Sequence, residues 1–447
     1  MAREMKDSGV EWIGEIPKKW SCHSLKVIIT QNDGGIWGDD PIDADGEIVL
    51  RSTEQTIDGK WNIVSPAKRD LSKISNKIYY LCKKNDLLIT KSSGSNLHIG
   101  KTTIVDDVIE KTQCYYSNFI QRIRLSQTVF AKYYWYILNS DIARSQFTYM
   151  QNTTSGIGNL NAKYIANLIV PEPPIQDQYC IEKYLNVKCA ELDNVLQKTR
   201  ASIEEYKRLK QAVITQAVTK GISGSRKMKD SGNEWVKEIP SDIKISRVGL
   251  HYKIILGKML CANQIDATYT YEPYFCAADI HFEGIAESER KKMWFSPLEK
   301  QQYLVRKDDL LVVEGGAGAG GCAVASMQEV PTYIQNSIMI VRPGKSADVR
   351  YLKYLIECLV KQGYIDVACN KATIPHFTKD KLANVPFLVF SLQEQKEIAQ
   401  YLDKKCNDID AIISYKENYI MEIENYKKSL IYEYVTGKKE VPQKYQV

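Results

Sequence analysis

MKDSGVEWIGEIP at residues 5–17 returns as MKDSGNEWVKEIP at residues 228–240, an offset of 223 in a chain of 447 residues. A fixed internal period of this size means two copies of one unit rather than two unrelated domains. Asp86-Leu87-Leu88 answers Asp309-Leu310-Leu311 at the same offset, and Asn118 and Arg124 answer Asn336 and Arg342 at 218. At 217, Ile157 answers Ile374, Gln176-Asp177-Gln178 answers Gln393-Glu394-Gln395, and Val218-Thr219 answers Val435-Thr436. The copies align without a gap from about residue 156 to 220, whereas the upstream islands are separated by stretches that scarcely match. One part of each unit is held alike and the other is free to differ.

Bulk properties narrow the class. The length allows two to four domains, and a hydrophobic content of 44% can bury real cores. No apolar run is long enough to span a membrane, and the start, MAREMKDSGVEW, has no hydrophobic signal region, so a cytoplasmic location is expected. Eleven cysteines without a C-x-x-C pair or a nearby zinc-spaced histidine read as small buried hydrophobes in a reducing compartment. A net charge of +6 is compatible with nucleic acid, and a solvated, lysine-rich surface explains it equally well.

Each copy continues from its Trp-containing island through about 150 residues of short β-like runs, among them Ile48–Leu50, Leu87–Ile89, Thr102–Val105 and Phe119-Ile120. One helical stretch is expected near 130–145 and its counterpart near 348–362, which makes a compact α+β domain. After Pro171-Glu172-Pro173-Pro174 no glycine or proline occurs until Gly221. Ile181, Leu185, Leu192, Val195, Tyr206, Leu209 and Val213 follow a 3-4 spacing there. The second copy starts at the capping box Ser391–Glu394, continues through Ile398, Leu402, Ile409, Ile412, Ile423, Tyr426 and Leu430, and stops at Gly437. Each segment is a helix of about 65 Å at 1.5 Å per residue. Its apolar seam needs a mate, most simply the other copy in an antiparallel coiled coil. Polar seam positions (Lys188, Thr199, Ser202, Lys405, Lys416) point to a loose pair, or to partner helices completing the bundle; an ordinary pair with imperfect heptads also fits.

Several motifs suggest catalysis and fail on context. Gly316-Ala-Gly318-Ala-Gly-Gly321 matches a dinucleotide fingerprint, but Cys322–Ser326 after it is β-like where a helix is required. Gly94 to Gly100-Lys101-Thr102 has five residues between the glycines where a P-loop needs four. His23, His98, His251, His281 and His376 are dispersed, and none recurs in the other copy. Pro171-Glu-Pro-Pro174-Ile175 lacks the leading amide and the aromatic of an adenine-methyltransferase tetrad. No chemistry is expected of the chain itself. The two glycine loops read instead as recognition loops, placed alike and furnished differently.

The repeated Met-Lys-Asp-Ser-Gly…Glu-Trp…Glu-Ile-Pro start, the Asp-Leu-Leu strand with its glycine loop (86–101, 309–321), the Gln-Asp/Glu-Gln islands and the long helices recur in order, twice. In these features the chain resembles, over essentially its whole length, the specificity subunit of Type I restriction–modification systems. The resemblance implies an α+β chain of two similar target recognition domains, 1–173 and 225–390. Helical spacers at 174–224 and 391–440 would pair as an antiparallel coiled coil in an internal pseudo-two-fold repeat, with a tail at 441–447. It implies a non-catalytic subunit whose domains each read half of a bipartite, asymmetric DNA target, with the helices setting the separation. Two methyltransferase subunits carrying S-adenosylmethionine for adenine N6 methylation would dock on it, and restriction subunits carrying ATP with Mg2+ would join; no cofactor would bind this chain directly.

For base readout, polar residues on loops are the candidates: Lys91, Ser93, Ser95, Asn96, Thr153, Thr154 and Ser155 in the first domain, and Lys371, Ala372 and Thr373 in the second, with Glu314 to Gly318 approaching through backbone. Arg51, Lys68, Arg69, Arg290, Lys291 and Lys292 are phosphate candidates. Each serves equally well on a solvated surface. Cys276 stands where Arg51 falls, and Trp12 and Trp235 read as core anchors. Two other functions compete: a scaffold with no sequence preference, and an autonomous NTPase or methyltransferase, which would bind ATP or S-adenosylmethionine by itself.

Overall fold

A computed structural model describes residues 3–42, 46–95, 97–150, 158–224, 226–369 and 375–446. The chain divides into two units, residues 1–199 with 418–447, and residues 200–417. Each unit therefore holds half of each long helix, Ile175–Lys220 and Leu392–Val435.

The repeated opening motif is a hairpin. Met5 pairs with Pro17 and Met228 with Pro240. Asp7 accepts from the Gly9 amide at 2.9 Å and Asp230 from the Gly232 amide at 3.0 Å. Both glycines adopt φ near +70° (72° and 67°), so the Asp-Ser-Gly triplet is turn chemistry that a larger residue would strain. Ile13 and Ile16, with Val236 and Ile239, fill the cores. Trp12 and Trp235 are half-buried and pack on Tyr149 and Tyr364.

Each unit then builds the same two sheets. In the first unit a four-stranded antiparallel sheet runs Ile29–Gly34, Ile120–Leu125, Leu87–Thr90, Thr102–Ile104; in the second it runs Tyr252–Leu256, Ile338–Pro343, Leu310–Val313, Cys322–Val324. Three-stranded sheets lie alongside, ordered Tyr115–Tyr116, Glu47–Leu50, Ala67–Arg69 in one unit and Tyr333–Ile334, Thr270–Phe275, Lys291–Phe295 in the other. Helices Ala131–Leu138 and Asp141–Met150 cover the first core, and Val349–Lys361 the second.

The remaining islands are the joints of this architecture. Asp86, fully buried, takes Arg124 bidentately at 2.6 and 2.7 Å and the Lys83 amide at 2.9 Å. Asp309 repeats this with Arg342 at 2.8 and 2.9 Å and the Arg306 amide at 2.8 Å. Such fork-to-fork geometry satisfies a buried carboxylate. Gln178 accepts from the Phe130 amide and donates to Pro173, and Gln395 accepts from the Asp348 amide and donates to Ser346 and Phe390. These buried amides pin the first turn of each long helix to the domain before it.

Within each unit the helices pair antiparallel. Asp193 meets Lys427 at 2.6 Å and Tyr184 stacks on Tyr434 in the first; Lys210 meets Asp410 at 2.6 Å in the second. Leu185, Leu196, Ile203, Ile214, Leu402, Ile409, Ile423 and Leu430 are buried, but Val195, Leu209, Ile412 and Tyr426, which also fit the 3-4 pattern, are more than a third exposed. A two-helix contact covers only a narrow stripe, so the wider apolar face cannot all be buried. No helix of the described residues is long and apolar enough to cross a membrane.

The copies also contain an exchange in the core. Buried Arg122 bonds Asp33 at 2.9 and 3.1 Å, and the Tyr116 hydroxyl donates to the same carboxylate at 2.5 Å. The equivalent second-unit positions are Ile340, Ile255 and Ile334, all buried. Arg122→Ala should therefore cost about 3–5 kcal/mol by leaving Asp33 unpaired, whereas the triple change of Arg122, Asp33 and Tyr116 to Ile should be neutral or stabilising by about 1–4 kcal/mol. Calorimetric unfolding of the whole chain checks both, and a triple variant weaker than the single one contradicts the prediction.

Candidate nucleic-acid interface

The two glycine loops close β-hairpins. Strand Leu310–Val313 turns through Gly316–Gly321 into the antiparallel strand Cys322–Val324, so no helix opens at the third glycine. In the first unit Lys101, which a P-loop would aim at phosphate, points inward and donates to the carbonyls of Ser52 and Gln55 at 2.7 and 2.8 Å. Burial pulls its pKa down. Gly100 and Gly320 share φ near +80° (79° and 81°), with Phe147 and Val360 crowding where a Cβ would sit.

The loop bases are built identically. The Lys91 amide donates to Phe119 and its carbonyl accepts from Leu160; the Glu314 amide donates to Ser337 and its carbonyl accepts from Phe377. Ser92–Ser93 pairs antiparallel with Gly158–Asn159, and Gly315 bridges to His376. The glycine loop and the described flank of the later polar segment are thus tied together in both units. Lys91 and Ser93 are half-buried and Ser95 is exposed. Asn96, Thr153, Thr154, Ser155, Lys371, Ala372 and Thr373 lie outside the described residues.

The phosphate candidates fall into two groups. Arg51 forms an ion pair with Glu54 and caps Ser65; Arg69 pairs with Asp40 and lies 4.0 Å over Trp37; Arg290 pairs with Asp279 at 3.0 Å and lies 4.6 Å over Phe275. These three guanidinia hold their own sheets together. Lys68, Lys291 and Lys292 are exposed residues of the strands Ala67–Arg69 and Lys291–Phe295. Cys276 does occupy the turn position of Arg51, each preceding the short helix whose acid (Glu54, Asp279) bonds back to its amide.

Three residues around Lys91 were not among the candidates. The Lys91 ammonium lies over Gly34, beside Gln121, whose amide donates to Asn32 at 2.7 Å. The second unit has Leu256, Met339 and Ile254 at these sheet positions. That contrast between copies is the signal that would have found them. Among the described residues no cluster of acids, histidines and cysteines could hold a metal ion.

Residues 253–424 match the family model "Type I restriction modification DNA specificity domain". The chain is 23% identical over 432 residues to a putative type I restriction enzyme MjaX specificity subunit of Methanocaldococcus jannaschii, covering 95% of each. Over nearly its whole length the chain is similar to Type I specificity subunits. A second such subunit from that organism, MjaVIII, is 24% identical over 388 residues, covering 82% of this chain and 81% of that one. A solved chain described under the complex assembly and conformational transition of the type I R-M system shares the fold at TM-score 0.72 and 18% identity, covering 95% of this chain and 99% of that one. The HsdS subunit of Thermoanaerobacter tengcongensis does so at TM-score 0.54 and 17% identity, covering 95% and 98%.

Lys101 is thus a structural cation. Lys101→Met should leave the buried Gln55 carbonyl unpaired and the Ser52 carbonyl with the Gln55 amide alone, at a cost of about 1–3 kcal/mol. A drop in melting temperature, with ATP failing to shift the melting of the unsubstituted chain, is the expected result.

Proposed function

We propose that this chain is the non-catalytic component that directs a Type I restriction–modification complex to its DNA. Each globular domain reads one half of a bipartite, asymmetric target. The observation that carries this is the division within the repeat. Asp86/Asp309, Arg124/Arg342 and Gln178/Gln395 do the same structural work in both units, while the loop bases they support differ in charge and polarity.

Two methyltransferase subunits are the docking partners, and the long helices are their platform. Tyr419 and Tyr426, seven residues apart, share one exposed face of the second helix, where aromatic rings suit a protein partner better than water. S-adenosylmethionine for adenine N6 methylation, and ATP with Mg2+ on the restriction subunits, bind those partners. The complex acts in the cytoplasm.

The test is methylome sequencing of a host expressing this chain with its methyltransferase subunit, beside a host lacking only this chain. A split motif carrying N6-methyladenine in both halves is expected; its absence, with all proteins present, favours the scaffold without sequence preference. Exchanging residues 20–150 for those of another specificity subunit should change one half-site only. Four residues inserted at Thr199, matched by four at Glu417, lengthen each helix by about 6 Å. That should widen the spacer by about two base pairs, at 3.4 Å per step, and leave both half-sites intact.

A further inference from the structure

Among the described residues most buried charges are paired. Asp86, Arg122, Asp309, Asp279 and Lys258 all have partners of opposite sign. Among the described residues Lys91 and Glu314 have none. Both are half-buried, and among the described residues neither side chain makes a hydrogen bond or an ion pair. They occupy the same place: one residue beyond the central strand, amide and carbonyl held by equivalent neighbours, at the base of the recognition loop. One unit sets a cation there and the other an anion.

A desolvated charge without a partner is costly, and burial alone lowers the Lys91 pKa. The sheet nevertheless makes room for that ammonium. Gly34 leaves the space it fills, since a Cβ there would lie 2.6 Å from Nζ, while the second unit carries Leu256 at this position. The Gln121 amide beside it, held by Asn32, adds an acceptor that Met339 cannot. Ammonium donors match the O6 and N7 acceptors of guanine, and a carboxylate accepts from the N4 amino group of cytosine.

Resting on the recognition role proposed above, the geometry points to Lys91 and Glu314 as the homologous specificity-determining pair, Lys91 reading a guanine in one half-site and Glu314 a cytosine in the other. Each half-site then contains a G·C pair, addressed through opposite bases by opposite charges. Gly34 is a positioning residue for the first of these contacts.

The experiment uses the full chain assembled with its methyltransferase subunits, selecting bound duplexes from a randomised DNA pool. Unsubstituted protein should return a split motif with a G·C pair in each half. Lys91→Gln should lower the preference for guanine at one position of one half-site by about tenfold or more, and Glu314→Gln that for cytosine at one position of the other half by a similar factor. Gly34→Ala keeps the lysine but takes its seat, and should move the same base position as Lys91→Gln. Motifs unchanged at every position, with affinity merely falling for all duplexes, would show a phosphate contact and overturn the inference. So would one substitution altering both half-sites. If Lys91→Gln does not assemble, Gly34→Ala decides alone, and an unshifted motif there overturns the Lys91 assignment. A motif in the unsubstituted complex without G·C pairs overturns the base assignment only. No split motif at all removes the recognition role and this pair with it.

Discussion

A buried phenol closes each unit onto the final turn of a long helix that comes from the other half of the sequence. Tyr133 donates to the Val435 carbonyl at 2.9 Å in the first unit, and Tyr351 to the Val218 carbonyl at 3.0 Å in the second. The last carbonyls of a helix have no intrahelical donor, and here they are buried, so a side chain must supply one. Burial holds both tyrosine pKa values well above the ordinary range, keeping the hydroxyl proton in place. Around this bond, Thr219 and Thr436 donate back to Thr215 and Tyr432, each at 2.7 Å, and Gly221 and Gly437 end the helices at φ of 76° and 72°. The Val-Thr islands of the repeat are therefore helix termini built to be capped by a domain. Neither globular part is complete with its own segment of sequence alone.

That exchange accounts for which part of the repeat is held alike. A helix that begins pinned by Gln178 and ends under Tyr351 answers to two domains at once, so its sequence is constrained at both ends. The sheets answer only to themselves. Where the first unit uses Arg122, Asp33 and Tyr116, the second packs Ile340, Ile255 and Ile334 in the same register. Two different solutions to one core fit the rule that a buried ion pair and a well-packed apolar cluster of similar volume are close in free energy.

Much of the architecture was legible because the chain carries its own comparison. Asp86 with Arg124, and Asp309 with Arg342, recur at offsets of 223 and 218, and such co-recurrence of opposite charges marks a pair. The seam was only partly legible. Leu209 and Ile412 fit the helical period yet lie exposed, because periodicity says which face is apolar and not how wide the covering partner is. The candidate site was the least legible. Arg51, Arg69 and Arg290 look like phosphate ligands by type, and each also has an acidic partner: Glu54 is local to Arg51, whereas Asp40 and Asp279 stand 29 and 11 residues from theirs, an approach that depends on tertiary structure. Lys101 went unplaced for the same reason: only the fold reveals that its ammonium meets two carbonyls.

The fold separates stability from readout by placing them at opposite ends of one strand. Leu87–Thr90 begins beside the buried Asp86 carboxylate, where any change unbalances a salt bridge, and ends at Lys91, where the backbone alone is gripped. Position 91 is held by its own amide and carbonyl, so its side chain carries none of the register. The second unit makes the case directly: Glu314 sits under the same two backbone bonds with the charge reversed, and the strand before it keeps its pairing with Ile338–Val341. A position fixed by main chain and free in side chain can change what it recognises without changing what it is attached to. That is the physical condition for a domain whose specificity must vary on a constant frame.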